Sequence, residues 1–214
     1  MRYIIFALHP AWSGSKEEWN MSRTVISTGK MARLAVLVAI LLILAFTPLG
    51  YLKIGLVSIS FLMIPVAIGA VAIGPGGGAF LGAVFGLTSF AQCFGTDAFG
   101  VALLAIQPLF TFVLCMVPRI LAGWLPGLLF RALSARVSKT TAAFMAGLSA
   151  AVLNTILFVT VLLLLFGQTE VVRSLGSNAL AVVGVLITSN ALIEALACTV
   201  VTGAISKALF YQNR

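Results

Sequence analysis

A single charge interrupts the apolar run Gln107–Phe130, QPLFTFVLCMVPRILAGWLPGLLF, and that charge is Arg119. As a helix, Pro108–Phe130 is about 34 Å long, enough to cross a bilayer with some tilt. A guanidinium does not give up its proton, and holding one at hydrocarbon depth costs about 2.5 to more than 10 kcal/mol. Arg119 must therefore face protein, water or a ligand. Pro118, directly before it, removes one helix donor and loosens the backbone there.

Composition extends this constraint to the whole chain. Hydrophobic residues make up 61% and charged residues 8%, which predicts an all-α integral membrane protein. A barrel would show alternating segments of about ten residues, whereas these apolar runs are long and continuous. The net charge of +8 is no nucleic-acid signature, because the basic residues cluster at the ends of membrane runs. Cys93, Cys115 and Cys198 lack metal-ligand spacing and read as small buried hydrophobes.

Residues 1–29 are polar and mixed in charge, and are expected to form a cytoplasmic tail with Trp12 and Trp19 near the headgroups. The apolar core Tyr3–Leu8 is too short for a signal peptide, and Met21 offers an alternative start of translation. Residues 30–214 form the expected membrane domain. Its first segment runs from Met31 to Leu49. Lys53 and Asp97 are separated by 43 uncharged residues, room for two crossings, near Val57–Ile73 and Gly78–Gln92. The run Gly74–Gly78 between them is expected to break the helix. Cys93–Ile106 is expected to be an outer loop or short re-entrant piece. The fourth segment holds Arg119, the fifth spans Thr141–Phe166 and the sixth Ala179–Leu209. Six crossings with both termini cytoplasmic place ten Lys and Arg on the inner face and two, Lys53 and Arg173, on the outer.

Helix rise then predicts depth. Arg119 lies about 18 Å from the inner face, Ser89 about 21 Å, Asn154 about 22 Å, and Glu194 and Asn190 about 20 and 25 Å. Four helices thus place polar side chains in one slab of the outer half. Asn190 and Glu194, four residues apart, share a helix face. The guanidinium fork suits a carboxylate or phosphate, and the asparagine amides suit hydroxyls or amides. Access is expected from outside, where Tyr51, Gln92 and Asp97 lie. Plainer accounts also exist: a structural Arg119–Glu194 ion pair, interhelical hydrogen bonds for the asparagines, and back-bonding of Thr88 and Ser89 to their own helix.

Small residues recur every four positions at Ala35 and Ala39, at Gly78, Gly82 and Gly86, and at Ala143, Gly147 and Ala151. Such stripes allow close helix contact in lipid. The second and third are expected to pack within the molecule. The first would look the same against a partner helix.

These residues carry a resemblance. The alanine pair, the turn Thr47-Pro-Leu-Gly-Tyr-Leu-Lys-Ile-Gly, Ile64-Pro, Gly74-Pro-Gly-Gly-Gly-Ala, Gly86-Leu-Thr-Ser-Phe and Val117-Pro-Arg-Ile-Leu-Ala-Gly resemble an S-component of an energy-coupling factor (ECF) vitamin transporter, most like the pantothenate branch. The resemblance implies a six-helix subunit of a bacterial cell membrane, without cofactor or catalysis. It would bind a vitamin near the outer face and pass it inward through a transmembrane coupling subunit and two ABC-type ATPases. Ala35 and Ala39 match the motif that contacts the coupling subunit, and Tyr51–Lys53 the outer loop over the site. For pantothenate, Arg119 would take the carboxylate, and Asn154 and Asn190 the amide or hydroxyls. Folate, hydroxymethylpyrimidine or thiamine, and riboflavin are alternative cargoes, and an autonomous secondary carrier is the alternative class. An enzyme fits poorly: the lone His9 is in the tail, and neither paired aspartates, a metal-ligand cluster nor a Walker A loop is present.

Overall fold

The computed structural model describes residues 28–47, 50–54, 57–173 and 189–212; the side chains of 51–59, 189, 190, 210 and 212 are outside that description. The elements are α1 (Thr28–Phe46), β1 (Tyr51–Ile54), β2 (Val57–Ser60), α2 (Met63–Ala72), α3 (Pro75–Gln92), α4 (Ala98–Ile106), α5 (Pro108–Leu133), α6 (Lys139–Phe166), a single turn α7 (Glu170–Arg173) and α8 (Ser189–Gln212).

Among the described residues, four helices are long and apolar enough to cross a bilayer: α1, α5, α6 and Ala191–Leu209 of α8. Only 22% of the apolar window of α6 is buried, and Leu164 is 77% exposed. Surfaces of that kind are stable against lipid and not against water.

The expected crossing near Val57–Ile73 divides in two. Val57–Ser60 pairs antiparallel with Tyr51–Ile54, in the register Tyr51↔Ser60 to Ile54↔Val57. The helix starts only at Met63, with Pro65 in its first turn, where a missing N–H costs little. Its ten residues rise about 15 Å, half a bilayer core. Short as it is, α2 holds the centre of the bundle, with Met63 and Pro65–Val71 buried. Leu37 and Leu41 of α1, Leu81 and Phe85 of α3, Ala122 of α5, Ala150 of α6 and Cys198 of α8 share its core.

The break between α2 and α3 is narrower than the five-residue run expected. Gly74, at φ 115°, turns the chain and caps α3, and the helix resumes at Pro75, its first residue. Gly76–Gly78 are therefore helical, and of the three only Gly78 is pressed against α5. A Cβ at Gly78 would overlap the Gly123 carbonyl, and one at Gly82 the Arg119 carbonyl. One at Gly86 would sit 2.8 Å from the Cys115 carbonyl. This stripe lets α3 lie backbone to backbone along α5. The stripe on α6 also packs internally: a Cβ at Gly147 would lie 2.9 Å from the Cys198 carbonyl of α8, and Ala143 and Ala151 are buried.

The first stripe differs. α1 buries Leu37, Leu41 and Ala45, while Ala35 and Ala39 lie on its exposed face. The piece expected as a loop or re-entrant stretch forms α4, begun by Asp97, whose Oδ2 accepts from the Gly100 N–H at 3.0 Å. Leu103 of α4 packs with Leu114, Leu162, Phe166 and Val172 as a second small core. The bundle thus has two ends. One gathers the start of α1, the end of α2, the start of α6 and the end of α8. The other, nearer the hairpin, gathers the end of α1, Ser60, the end of α3, α4 and the first half of α5.

Candidate functional site: a cavity at the hairpin end

Arg119 owes its position to its neighbour. Pro118 has no N–H to offer the Leu114 carbonyl one turn earlier, so that acceptor is left without its helical donor. The Arg119 Nη1 donates to it at 2.8 Å. Helical side chains lean toward the N-terminus of their helix, and this bond holds the guanidinium in that direction, toward the hairpin end. The rings of Phe158 and Phe85 flank the cation, with Cζ 4.6 and 5.6 Å from their centroids. Each is a favourable cation–π contact in a medium where water is scarce. Behind it, the Gly82 contact fixes the Arg119 backbone against α3.

The guanidinium lines a cavity of about 850 Å³. Ser89 and Gln92 of α3 and Asn154 of α6 line it as well, so four of the residues expected to converge do so. The Asn154 Oδ1 is buried with no hydrogen-bond partner among the described residues. An orphaned buried amide oxygen costs about 1–3 kcal/mol, which a donor supplied by a ligand or water would relieve. Gln92 has a second role: its Nε2 donates to the Ala45 carbonyl at 2.8 Å, tying the last turn of α1 to α3. Thr88 does bond back to its own helix, at 2.9 Å to the Phe85 carbonyl.

Glu194 of α8 is not among the lining residues, though it lies within electrostatic reach of Arg119. Its Oε1 is buried with no hydrogen-bond partner among the described residues. The side chains of Tyr51 and Asn190 lie outside the described residues, so those two expectations are placed only by backbone, on β1 and in the first turn of α8.

The aromatic walls were absent from the sequence reading. Phe158 stands one helical turn beyond Asn154, and Phe85 one turn before Ser89, so helical spacing from the polar residues would have found both. The cysteine pair was missed too. Cys93 and Cys115 both line the cavity, with sulfurs 3.9 Å apart. Asp97 supplies a carboxylate at the exposed rim. A cation inside, amide and hydroxyl groups on two walls and phenyl rings between them suit a small, partly apolar solute bearing an anionic group.

A helical membrane protein with a ligand-sized, part-polar cavity at one end belongs among solute-handling membrane subunits. The comparisons narrow the class. The family model for the ECF transporter substrate-specific component matches residues 29–206, and the chain belongs to that family. It is also 31% identical over 159 residues to the pantothenic acid transporter PanT of Lactococcus lactis subsp. cremoris (strain MG1363), a match spanning 70% of this chain and 76% of that protein. Proteins of this family are components of transporters that handle a substrate and work with ECF module partners.

Proposed function

We propose that this protein is a pantothenate-binding S-component, taking the vitamin from outside a bacterial plasma membrane and passing it inward through an ATPase-driven coupling module. The observation that carries the reading is the cavity, where Arg119, Asn154, Ser89 and Gln92 from three helices meet. Pantothenate has one carboxylate for the guanidinium fork, an amide and hydroxyls for Asn154 and Ser89, and a branched apolar middle for Phe85 and Phe158. Likeness to PanT supports the choice of cargo. In this reading Tyr51 and Asn190 complete the site from β1 and α8, and Glu194 acts on it through the field around Arg119.

Charge supports the topology of this reading. Lys30, Arg33, Arg131, Arg136, Lys139 and Lys207 mark the end opposite the cavity, and the positive-inside rule favours a cytoplasmic position for that end and both termini. α3 rises about 27 Å, so with the hairpin and α2 as one broken crossing the count is six. Exposed Ala35 and Ala39 form the smooth patch for a helix of the coupling subunit.

The test uses the purified full chain. Calorimetry should show one pantothenate per chain without any partner, and proteoliposomes should accumulate pantothenate only when the coupling subunit and both ATPases are added. Binding of another vitamin with pantothenate ignored would overturn the cargo. Uptake by the chain alone would overturn the S-component role and favour an autonomous carrier.

A further inference from the structure

The end opposite the vitamin cavity holds a second cavity, of about 840 Å³. Three cations from three helices line it: Arg33 of α1, Lys139 at the first residue of α6, and Lys207 of α8. No carboxylate lines it among the described residues. All three are exposed, and with no carboxylate on the lining their combined field favours an anion in the cavity.

Two further features point into the same space. α6 is 28 residues long, and its N-terminus opens here, with Ser138 as N-cap and Thr140 in the first turn, both lining the cavity. Ser138 Oγ accepts from the Thr141 N–H at 3.1 Å, while the N–H groups of the first two helical residues precede any intrahelical acceptor. The positive end of the helix dipole is therefore added to the three side-chain charges. Ser206 of α8 also lines the cavity. It is 1% exposed, and its Oγ is buried with no hydrogen-bond partner among the described residues. In a helix a serine hydroxyl ordinarily bonds back to its own turn. Here the hydroxyl makes no such bond among the described residues.

We infer that this cavity, framed by Arg33, Lys139, Lys207, Ser206 and the N-terminus of α6, binds a phosphate group. Several cations, a helix N-terminus and hydroxyl donors together match the charge and multiple acceptor oxygens of a phosphate better than a lone carboxylate. The volume admits more than the bare ion. Its position among helix ends is the level at which basic pockets meet the headgroups of anionic lipids. A phosphate ester in solution would meet the same side chains.

The full chain in phosphatidylcholine nanodiscs would be titrated with dioctanoyl phosphatidylglycerol and, separately, with inorganic phosphate, and bound adducts counted by native mass spectrometry. At least one probe should saturate at one per chain. The combined substitutions Arg33→Gln, Lys139→Gln and Lys207→Gln should weaken it on the order of tenfold or more. Ser206→Ala, which alters no charge, should weaken it by about tenfold. Arg131→Gln with Arg136→Gln, neutralising the same end outside the cavity, should leave affinity unchanged. Saturation by the lipid alone identifies a headgroup site, and saturation by inorganic phosphate identifies a site for soluble phosphate compounds. The inference is overturned if neither probe binds, if the two sets of neutralisations weaken binding alike, or if Ser206→Ala binds like the parent.

Discussion

Replacing Arg119 by alanine separates recognition of a carboxylate from every other role of this residue. Two charge-assisted hydrogen bonds from the fork to a carboxylate are worth about 1.5–3 kcal/mol each, so the substitution should cost about 3–6 kcal/mol of binding. That corresponds to a loss of affinity of about two to four decades. Arg119 also donates to the Leu114 carbonyl that Pro118 leaves without a helical donor, so the variant should be less stable by about 1–3 kcal/mol as well. A chemical cycle removes this second effect. Pantothenol carries a hydroxymethyl group in place of the carboxylate and keeps the amide, hydroxyls and apolar middle. Calorimetry on parent and variant with both ligands should show a strong preference for the acid in the parent and almost none in the variant. Arg119→Lys keeps the charge without the fork and should fall between them. If Arg119→Ala retains the parent's preference for the acid, the guanidinium does not read the carboxylate and the assignment of the cavity fails.

Other perturbations test the scaffold. Gly82→Ala puts a Cβ onto the Arg119 carbonyl and should destabilise the protein by about 1–3 kcal/mol in a thermal melt, whereas Gly76→Ala, with open space around it, should be neutral or slightly stabilising. Equal melting temperatures would mean that α3 and α5 are not packed this closely. Phe158→Leu removes the nearer ring from Arg119 and should weaken pantothenate binding by about 2- to 30-fold, while Phe112→Leu, outside the cavity lining, should not. Ala35→Leu with Ala39→Leu should abolish uptake by the assembled transporter and spare binding by the isolated chain; lost binding would place those alanines in the protein's own packing.

The membrane class, the four long helices and the gathering of Arg119, Asn154 and Ser89 at one level were legible in the sequence. They depend on local quantities: run length, residue charge and a fixed rise per residue. The glycines of α3 and small residues of α6 were legible as packing stripes for the same reason, although their partners, α5 and α8, were not. Val57–Ser60 misled, because a stretch of apolar and small polar residues satisfies a hydropathy count whether it coils or pairs, and only the facing strand decides between them. The glycine run after α2 misled in the opposite sense. Those residues are poor helix formers in isolation, yet the helix resumes at Pro75, and Gly78 at its start meets the Gly123 carbonyl of α5. Side-chain company was hidden most completely. Nothing local announces that Phe85 and Phe158 flank one guanidinium, that Gln92 ties down α1, or that Glu194 stands outside the cavity lining. Those facts depend on how α3, α5, α6 and α8 are rotated against one another around α2. Rotation is set by the packing of all of them together, so no single helix carries it in its own residues.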